Sequence, residues 1–343
     1  MGLIGDPFEL YESNKFVEFS GIPPDSWDWR DATYDGITGN WVTPIRDQGQ
    51  CGSCATFGSL ACLESAYRMK NKDPNMQVDF SEQFLVSCGQ EWVGDKNLFI
   101  KMRGCEGATI FGVLHFIKEY GAINETCFPY TSGIEGYEPP CSDKCEDWKE
   151  QRIHIKDYQL VMGEYNEKEE YYDISDYKNA LINYGPLVTS MIVYEDFPDY
   201  TDGIYEFDRS SNLKQLGGHM VAIVGYKDDP SIDSGGYWIC KNSWGEEWGE
   251  DGYFRIKYDD FYVWYYNEID ERTNNMNNFR DFIELLIWTY SVMSNPPSVG
   301  IGYLPSAFFT GLTKKSLETY IPRVLDRKLP SLQIFTLFHN LFN

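Results

Sequence analysis

The sequence predicts an α+β chain in which helices and strands are segregated, helical patterns falling before about residue 150 and strand patterns after about 185. Three stretches carry that reading. A Gly-rich turn at 48–53 gives way to a helix-compatible run through about Lys70. The segment GVLHFIKEYG at 112–121 has a helical pattern. In GGHMVAIVGY at 217–226, two glycines precede an apolar run rich in Val and Ile, the mark of a buried strand. A chain of 343 residues has room for one large or two medium domains.

The turn before the first helix reads Gln-Gly-Gln-Cys-Gly-Ser-Cys-Ala-Thr-Phe over 48–57. First-turn N–H groups and the positive end of the helix dipole favour negative charge, so Cys54 is expected to be acidic and nucleophilic. Gln48 puts an amide donor near the same place, where with the Cys54 N–H it is suited to an oxyanion. The bland alternative is a half-cystine at a helix start.

A nucleophilic thiol needs a base and a group to orient it. Four histidines are present: His115, His154, His219 and His339. His115 fits a helix face, and neither His154 nor His339 has a partner motif. His219 stands beside the buried strand, ahead of YWICKNSWGEEWGEDGYFRI at 237–256, which supplies Asn242, Trp244 and Trp248.

These motifs resemble those of papain-like cysteine proteases, the papain and cathepsin family, whose signature C-G-[SA]-C-[WY] reads CGSCA here, with Ala55 at the aromatic position. IPPDSWDWRD at 22–31 is similar to the family's mature N-terminal segment, SEQFLVSCG at 81–89 to its second helix and GCEGA at 104–108 to its substrate-binding loop. The resemblance covers about residues 22–258. It implies a two-lobe fold, a helical lobe and a β-barrel lobe with the active-site cleft between them. It also implies the catalytic order Cys54, His219, Asn242, with Gln48 at the oxyanion, Asn242 fixing the His219 tautomer and Trp244 shielding that bond.

By the same resemblance, Gly107 and Ala108 pair their backbone with extended substrate, and Ala108 crowds a position the family gives to glycine. Ile110, Ser190 and Gly218 would line the pocket for the second residue upstream of the scissile bond, which suits a bulky apolar or aromatic side chain. The Cys54 to His219 interval exceeds the roughly 130–150 residues usual for the family. Insertion within about 131–175 accounts for it, where TSGIEGYEPP and GEYNEKEEYYD read as long surface loops.

The implied layout is a short N-terminal extension at 1–21, a peptidase domain at 22–270 divided into lobes at about 22–155 and 156–270, and a C-terminal extension at 271–343. The first twenty-one residues lack the pattern of a secretory signal and are too few for the family's helical propeptide. FIELLIWTYSVM at 282–293 is too short to cross a bilayer. The C-terminal segment matches no motif; its aromatic content argues against simple disorder and suits an appendage that packs on the enzyme or on an unidentified partner.

Acidic residues outnumber basic ones 53 to 29. The excess falls in the first 270 residues, which should repel nucleic acid and anionic membrane and favour neutral or basic substrates on approach. A solvated surface adapted to salt or low pH explains the charge as well.

Of nine cysteines, Cys62 and Cys240 read as buried free thiols. Besides Cys54, six remain: Cys51, Cys88, Cys105, Cys127, Cys141 and Cys145. Sequence alone permits fifteen pairings. A zinc cluster is the rival, although the spacing lacks a ribbon-type pair of C-x-x-C motifs. The resemblance implies Cys51–Cys105 and Cys88–Cys141, leaving Cys127 for Cys145. Three disulfides imply an extracellular or other oxidising compartment.

The expected activity is hydrolysis of peptide bonds in peptide or protein substrates through a thioester acyl-enzyme, with no metal or organic cofactor. The alternatives are a Cys-His acyl transferase and a catalytically silent peptide-binding module on the same fold.

Overall fold

The computed structural model describes residues 22–96, 100–134, 137–155, 158, 165–166, 171–172, 174–208 and 212–258. Both extensions and His339 lie outside the described residues, as does most of the 163–173 loop.

The elements run β1 (Ser26–Asp28), β2 (Ala32–Tyr34), β3 (Ile37–Gly39), α1 (Cys54–Asn71), α2 (Glu82–Trp92), α3 (Ile110–Glu119), β4 (Tyr165–Asn166), β5 (Tyr171–Tyr172), α4 (Ser175–Tyr184), β6 (Leu187–Tyr194), β7 (Ile204–Tyr205), β8 (Gln215–Asp228), β9 (Gly236–Lys241) and β10 (Tyr253–Lys257). Helices α1 to α3 and the loops after them enclose one core, with Phe84, Leu85, Val113, Phe116 and Ile123 at its centre. The sheet encloses a second, built around Trp29, Trp41, Phe197, Tyr226, Trp238 and Phe254.

Helix α1 belongs to both cores. Ala55, Leu60, Leu63 and Ala66 face the first, while Ala61 and Met69 face the second. A helix buried on nearly every side needs small residues wherever a neighbour comes close. Gly58 meets that need: a Cβ there would sit 3.4 Å from Val188 Cγ2 and from the Val221 backbone. The helix ends at Lys72, whose left-handed backbone turns its N–H back to Arg68 and Met69. Helices α2 and α3 start on side-chain caps, Ser81 accepting from the Phe84 N–H and Thr109 from the Gly112 N–H.

The sheet has six strands in the order β1-β8-β9-β10-β7, with β6 also paired to β8. Its pairs are antiparallel except β10 with β7. Strand β8, fourteen residues long, is the hub and pairs with β6, β9 and β1. One strand comes from far upstream: Ser26 lies opposite Lys227, and Trp27 opposite Tyr226. Among the described residues no helix is long and apolar enough to cross a membrane.

Disulfides join Cys51 to Cys105, Cys88 to Cys141 and Cys127 to Cys145, with Cα–Cα distances of 4.6, 4.8 and 4.9 Å. Cys54, Cys62 and Cys240 are free thiols. The approach of Cys127 and Cys145 to Asp147 therefore belongs to a disulfide, since the two sulfurs bond to each other.

Candidate active site

Cys54 is the first residue of α1. Ser53 precedes it as the N-cap, but the Ser53 side chain makes no capping hydrogen bond, so its hydroxyl does not compete for the first-turn N–H groups. The Cys54 sulfur is hydrogen-bonded by the backbone of Met220, Ala55 and Cys54 itself, and all three lower its pKa. Burial outweighs them, and the thiol is pushed above its ordinary value rather than below it. Taken alone, the thiol thus departs from the acidity expected of a helix start. The helix start acts in the expected direction, and desolvation by the surrounding fold acts more strongly.

The contact with Met220 brings the thiol to strand β8 at the residue after His219. His219 is buried, and its Nε2 lies 2.7 Å from Asn242 Oδ1. The Ser243 N–H donates to the same Oδ1 at 2.9 Å, which identifies that atom as the oxygen. His219 Nε2 therefore carries the hydrogen, and Nδ1 keeps the lone pair. Burial lowers the imidazole pKa to about 4, against the opposing effect of the Asn242 bond. The Trp244 ring lies over His219, centroids 4.7 Å apart and planes inclined by 31°. Trp244 is itself set edge-on against Trp248 and Phe197.

Gln48 is held at both ends. Its N–H donates to Ser243 O at 2.9 Å, and its Oε1 accepts from the Ser243 hydroxyl at 2.7 Å. Its Nε2 donates one hydrogen to Cys51 O at 2.8 Å, leaving a second for another acceptor. Ser243 thus fixes the orientation of both Gln48 and Asn242.

The predicted substrate loop follows Cys105. The Gly52 N–H donates to Cys105 O at 3.0 Å, and a Cβ at Gly52 would lie 2.5 Å from that oxygen, so only glycine allows the approach. Gly107 takes a positive φ of 110°, and Ala108 bridges Met102. Ile110 opens α3 and is half-buried. Ser190 on β6 lies opposite Met220, and Ile192 opposite Gly218. That register puts Ser190, Gly218 and Met220 on one face of the ladder. Met220 was not among the sequence candidates. It abuts a conspicuous histidine, and only strand register assigns its face.

Next to Asn242, Lys241 is buried and donates to Thr43 O at 2.9 Å and Thr43 Oγ1 at 3.0 Å. The Thr43 hydroxyl donates in turn to Glu64, which also accepts the Phe80 N–H. Burial lowers Lys241 to about 8 and raises Glu64. This polar network ties the end of β9, and hence Asn242, to α1. His115 lies on α3 with Nε2 3.0 Å from Lys96 Nζ, and the His154 ring meets Lys118 O, so neither joins the site.

Residues 23–269 match the sequence model described as papain family cysteine protease. A "Cathepsin B-like CP3" of Giardia intestinalis is 36% identical over 239 residues, covering 68% of this chain and 69% of the relative. A "Cathepsin L-like proteinase" of Fasciola hepatica is 33% identical over 270 residues, covering 73% and 70%. Among solved structures, digestive procathepsin L 3 of Tenebrio molitor superposes with a TM-score of 0.52 at 26% identity, over 74% of this chain and 70% of that one. The chain belongs to the papain family of cysteine proteases. Its fold is the family's two-lobe α+β arrangement, and its substrates are peptides or proteins.

Proposed function

We propose that the chain is an endopeptidase whose Cys54, His219 and Asn242 act together through a thioester acyl-enzyme. The observation that carries this is the 2.7 Å bond from His219 Nε2 to Asn242 Oδ1, which leaves Nδ1 as a base one residue from the backbone that contacts the Cys54 sulfur.

Burial disfavours the charged form of each group taken alone. Passing the thiol proton to His219 Nδ1 creates both charges at once, and their mutual attraction offsets the two desolvation costs. The thiolate attacks the peptide carbonyl carbon. The developing oxyanion accepts from the second Nε2 hydrogen of Gln48 and from the Cys54 N–H. Imidazolium returns its proton to the leaving amine nitrogen as the C–N bond breaks, giving the thioester. Water, deprotonated by His219, then adds to the thioester, and the carboxylic acid leaves as the thiol is restored.

Gly107 and Ala108 offer backbone to an extended substrate, and Ile110, Ser190, Gly218 and Met220 supply a mainly apolar pocket for its second residue upstream of the cut. The three disulfides support action in an extracellular or other oxidising compartment. The residue layout at 22–270 serves as the peptidase domain in this proposal. Incubation with an epoxide or vinyl-sulfone peptide followed by mass spectrometry tests the reading. An adduct on Cys54 is expected, and labelling of Cys62 or Cys240 in its place would overturn it.

A further inference from the structure

Gln48 and Cys54 sit on one turn, and a side chain from far along the sequence holds that turn. Tyr130 Oη donates to Gln48 O at 2.9 Å and lies 2.9 Å from Ser53 Oγ. A phenol has a single hydrogen, and Tyr130 gives it to Gln48, so the Ser53 hydroxyl is the donor in the second bond. The result is a directed chain, Ser53 Oγ–H to Tyr130 Oη–H to Gln48 C=O. At the helix start Ser53 makes no side-chain cap bond; its hydroxyl lies against Tyr130 instead.

Tyr130 is itself held firmly. Its N–H donates to Glu125 Oε1 at 2.6 Å. Its ring meets Phe57, one turn into α1, edge-on at 4.9 Å with planes at 87°. The segment after it seals the same turn from outside: the Gln50 N–H donates to Gly133 O at 3.0 Å, and a Cβ at Gly49 would lie 2.4 Å from that oxygen. The Gln48 carbonyl thus accepts from Tyr130 and, at 3.4 Å, from the Cys51 N–H, while the amide of the same residue is fixed by Ser243 and Cys51.

We propose that Tyr130 is a positioning residue for the oxyanion site, its hydroxyl fixing the Gln48 backbone relative to the start of α1 so that the Gln48 amide and the Cys54 N–H converge on one oxygen. The inference rests on the reading of Gln48 as an oxyanion donor. Hydrogen bonds that must converge on a charge present only in the transition state are sensitive to small displacements of either donor.

Tyr130→Phe tests it, because the ring and its Phe57 contact remain. We expect kcat on a peptide substrate to fall about tenfold with KM within about twofold of wild type, since the loss is confined to the transition state. The rate of Cys54 alkylation by iodoacetamide should stay at the wild-type value, because alkylation develops no carbonyl oxyanion. Ser53→Ala, which removes the other end of the chain, should show a smaller loss with the same pattern. In a Gln48→Ala background, Tyr130→Phe should lower kcat by less than about twofold further, because the donor it positions is already gone.

If Tyr130→Phe leaves kcat unchanged while Gln48→Ala lowers it, the positioning role is overturned and the oxyanion assignment stands. A full tenfold loss persisting in the Gln48→Ala background, or alkylation slowed in parallel with kcat, would also overturn the proposal, pointing to a general loosening of α1. If Gln48→Ala itself leaves kcat intact, the oxyanion assignment fails and the proposal with it.

Discussion

The two halves of the molecule restrain their catalytic residues by different means. On the helical side, Gln48 lies in a loop and Cys54 at the start of α1 where that loop ends, and all three disulfides are there, joining the Cys51 turn to Cys105, α2 to Cys141 and the Cys127 segment to Cys145. On the sheet side, His219 and Asn242 are held by strand register, by the Thr43-Lys241-Glu64 network and by the rings of Trp244, Trp248 and Phe197. No disulfide joins two residues of the sheet side among the described residues. A ladder fixes its members by many weak bonds, whereas irregular chain with few ladder bonds is fixed by covalent links that reduce its unfolded freedom. The nucleophile's side should therefore respond to redox conditions, and the base's side to pH.

The largest effect tests whether the halves are both needed. Cys54→Ser should abolish peptide hydrolysis while the unfolding midpoint stays near wild type, because an alcohol of much higher pKa is not activated by a base matched to a thiol. His219→Ala should do the same from the sheet side. Steady-state assays and thermal melts check both, and retention of substantial turnover by either would break the assignment.

Gln48→Ala should lower kcat by about 10²- to 10³-fold with little change in KM, the signature of a donor used only as charge develops. An effect confined to KM would make Gln48 a substrate-binding residue.

Removing the Cys51–Cys105 bridge by a double substitution to alanine should cost roughly 2–5 kcal/mol of stability, read from denaturant unfolding. It should also lower activity, because that bridge ties the nucleophile's turn to the loop that pairs with substrate. Mapping of unreduced, thiol-blocked protein should find Cys51 joined to Cys105 and Cys54 free. Nine free thiols in protein from its native source would remove the contrast between the halves.

The residues that were legible in the sequence are those whose chemistry sits in contiguous motifs: Cys54 in CGSC, His219 after two glycines, Asn242 in KNSWG. The mixed helix and strand order was legible for the same reason, since periodicity is local. What escaped depends on contacts made far along the chain. Tyr130 reaches Gln48 across 82 positions through one hydroxyl, and nothing in its neighbours Phe128 and Pro129 announces it. Met220 needs the β6 register to be assigned a face. Strand β1 pairs with β8 across most of the described chain. The upward pull on the Cys54 thiol comes from burial, which the sequence does not display as it displays a helix start.

The smallest effects concern the sheet side and its pH response. Asn242→Ala leaves the base in place, so its cost should be below the roughly 10²-fold at the low end of what a general base contributes. The pH dependence follows from the His219 pKa of about 4 in the fold against about 6.5 in an unfolded chain. Between those values the unfolded chain binds a proton that the folded enzyme does not. Stability therefore falls as pH drops from about 6.5 to about 4 and the contribution levels off below, for a total of about 3 kcal/mol from this group. Activity should persist into mild acid and decline as pH falls through about 4, where the imidazole charges. The Asn242 bond raises the His219 pKa, so Asn242→Ala should move the acid limb of kcat/KM to lower pH. Denaturant titrations and pH–rate profiles of both proteins decide it, and an acid limb shifted upward in Asn242→Ala would mean that Asn242 does not accept from His219.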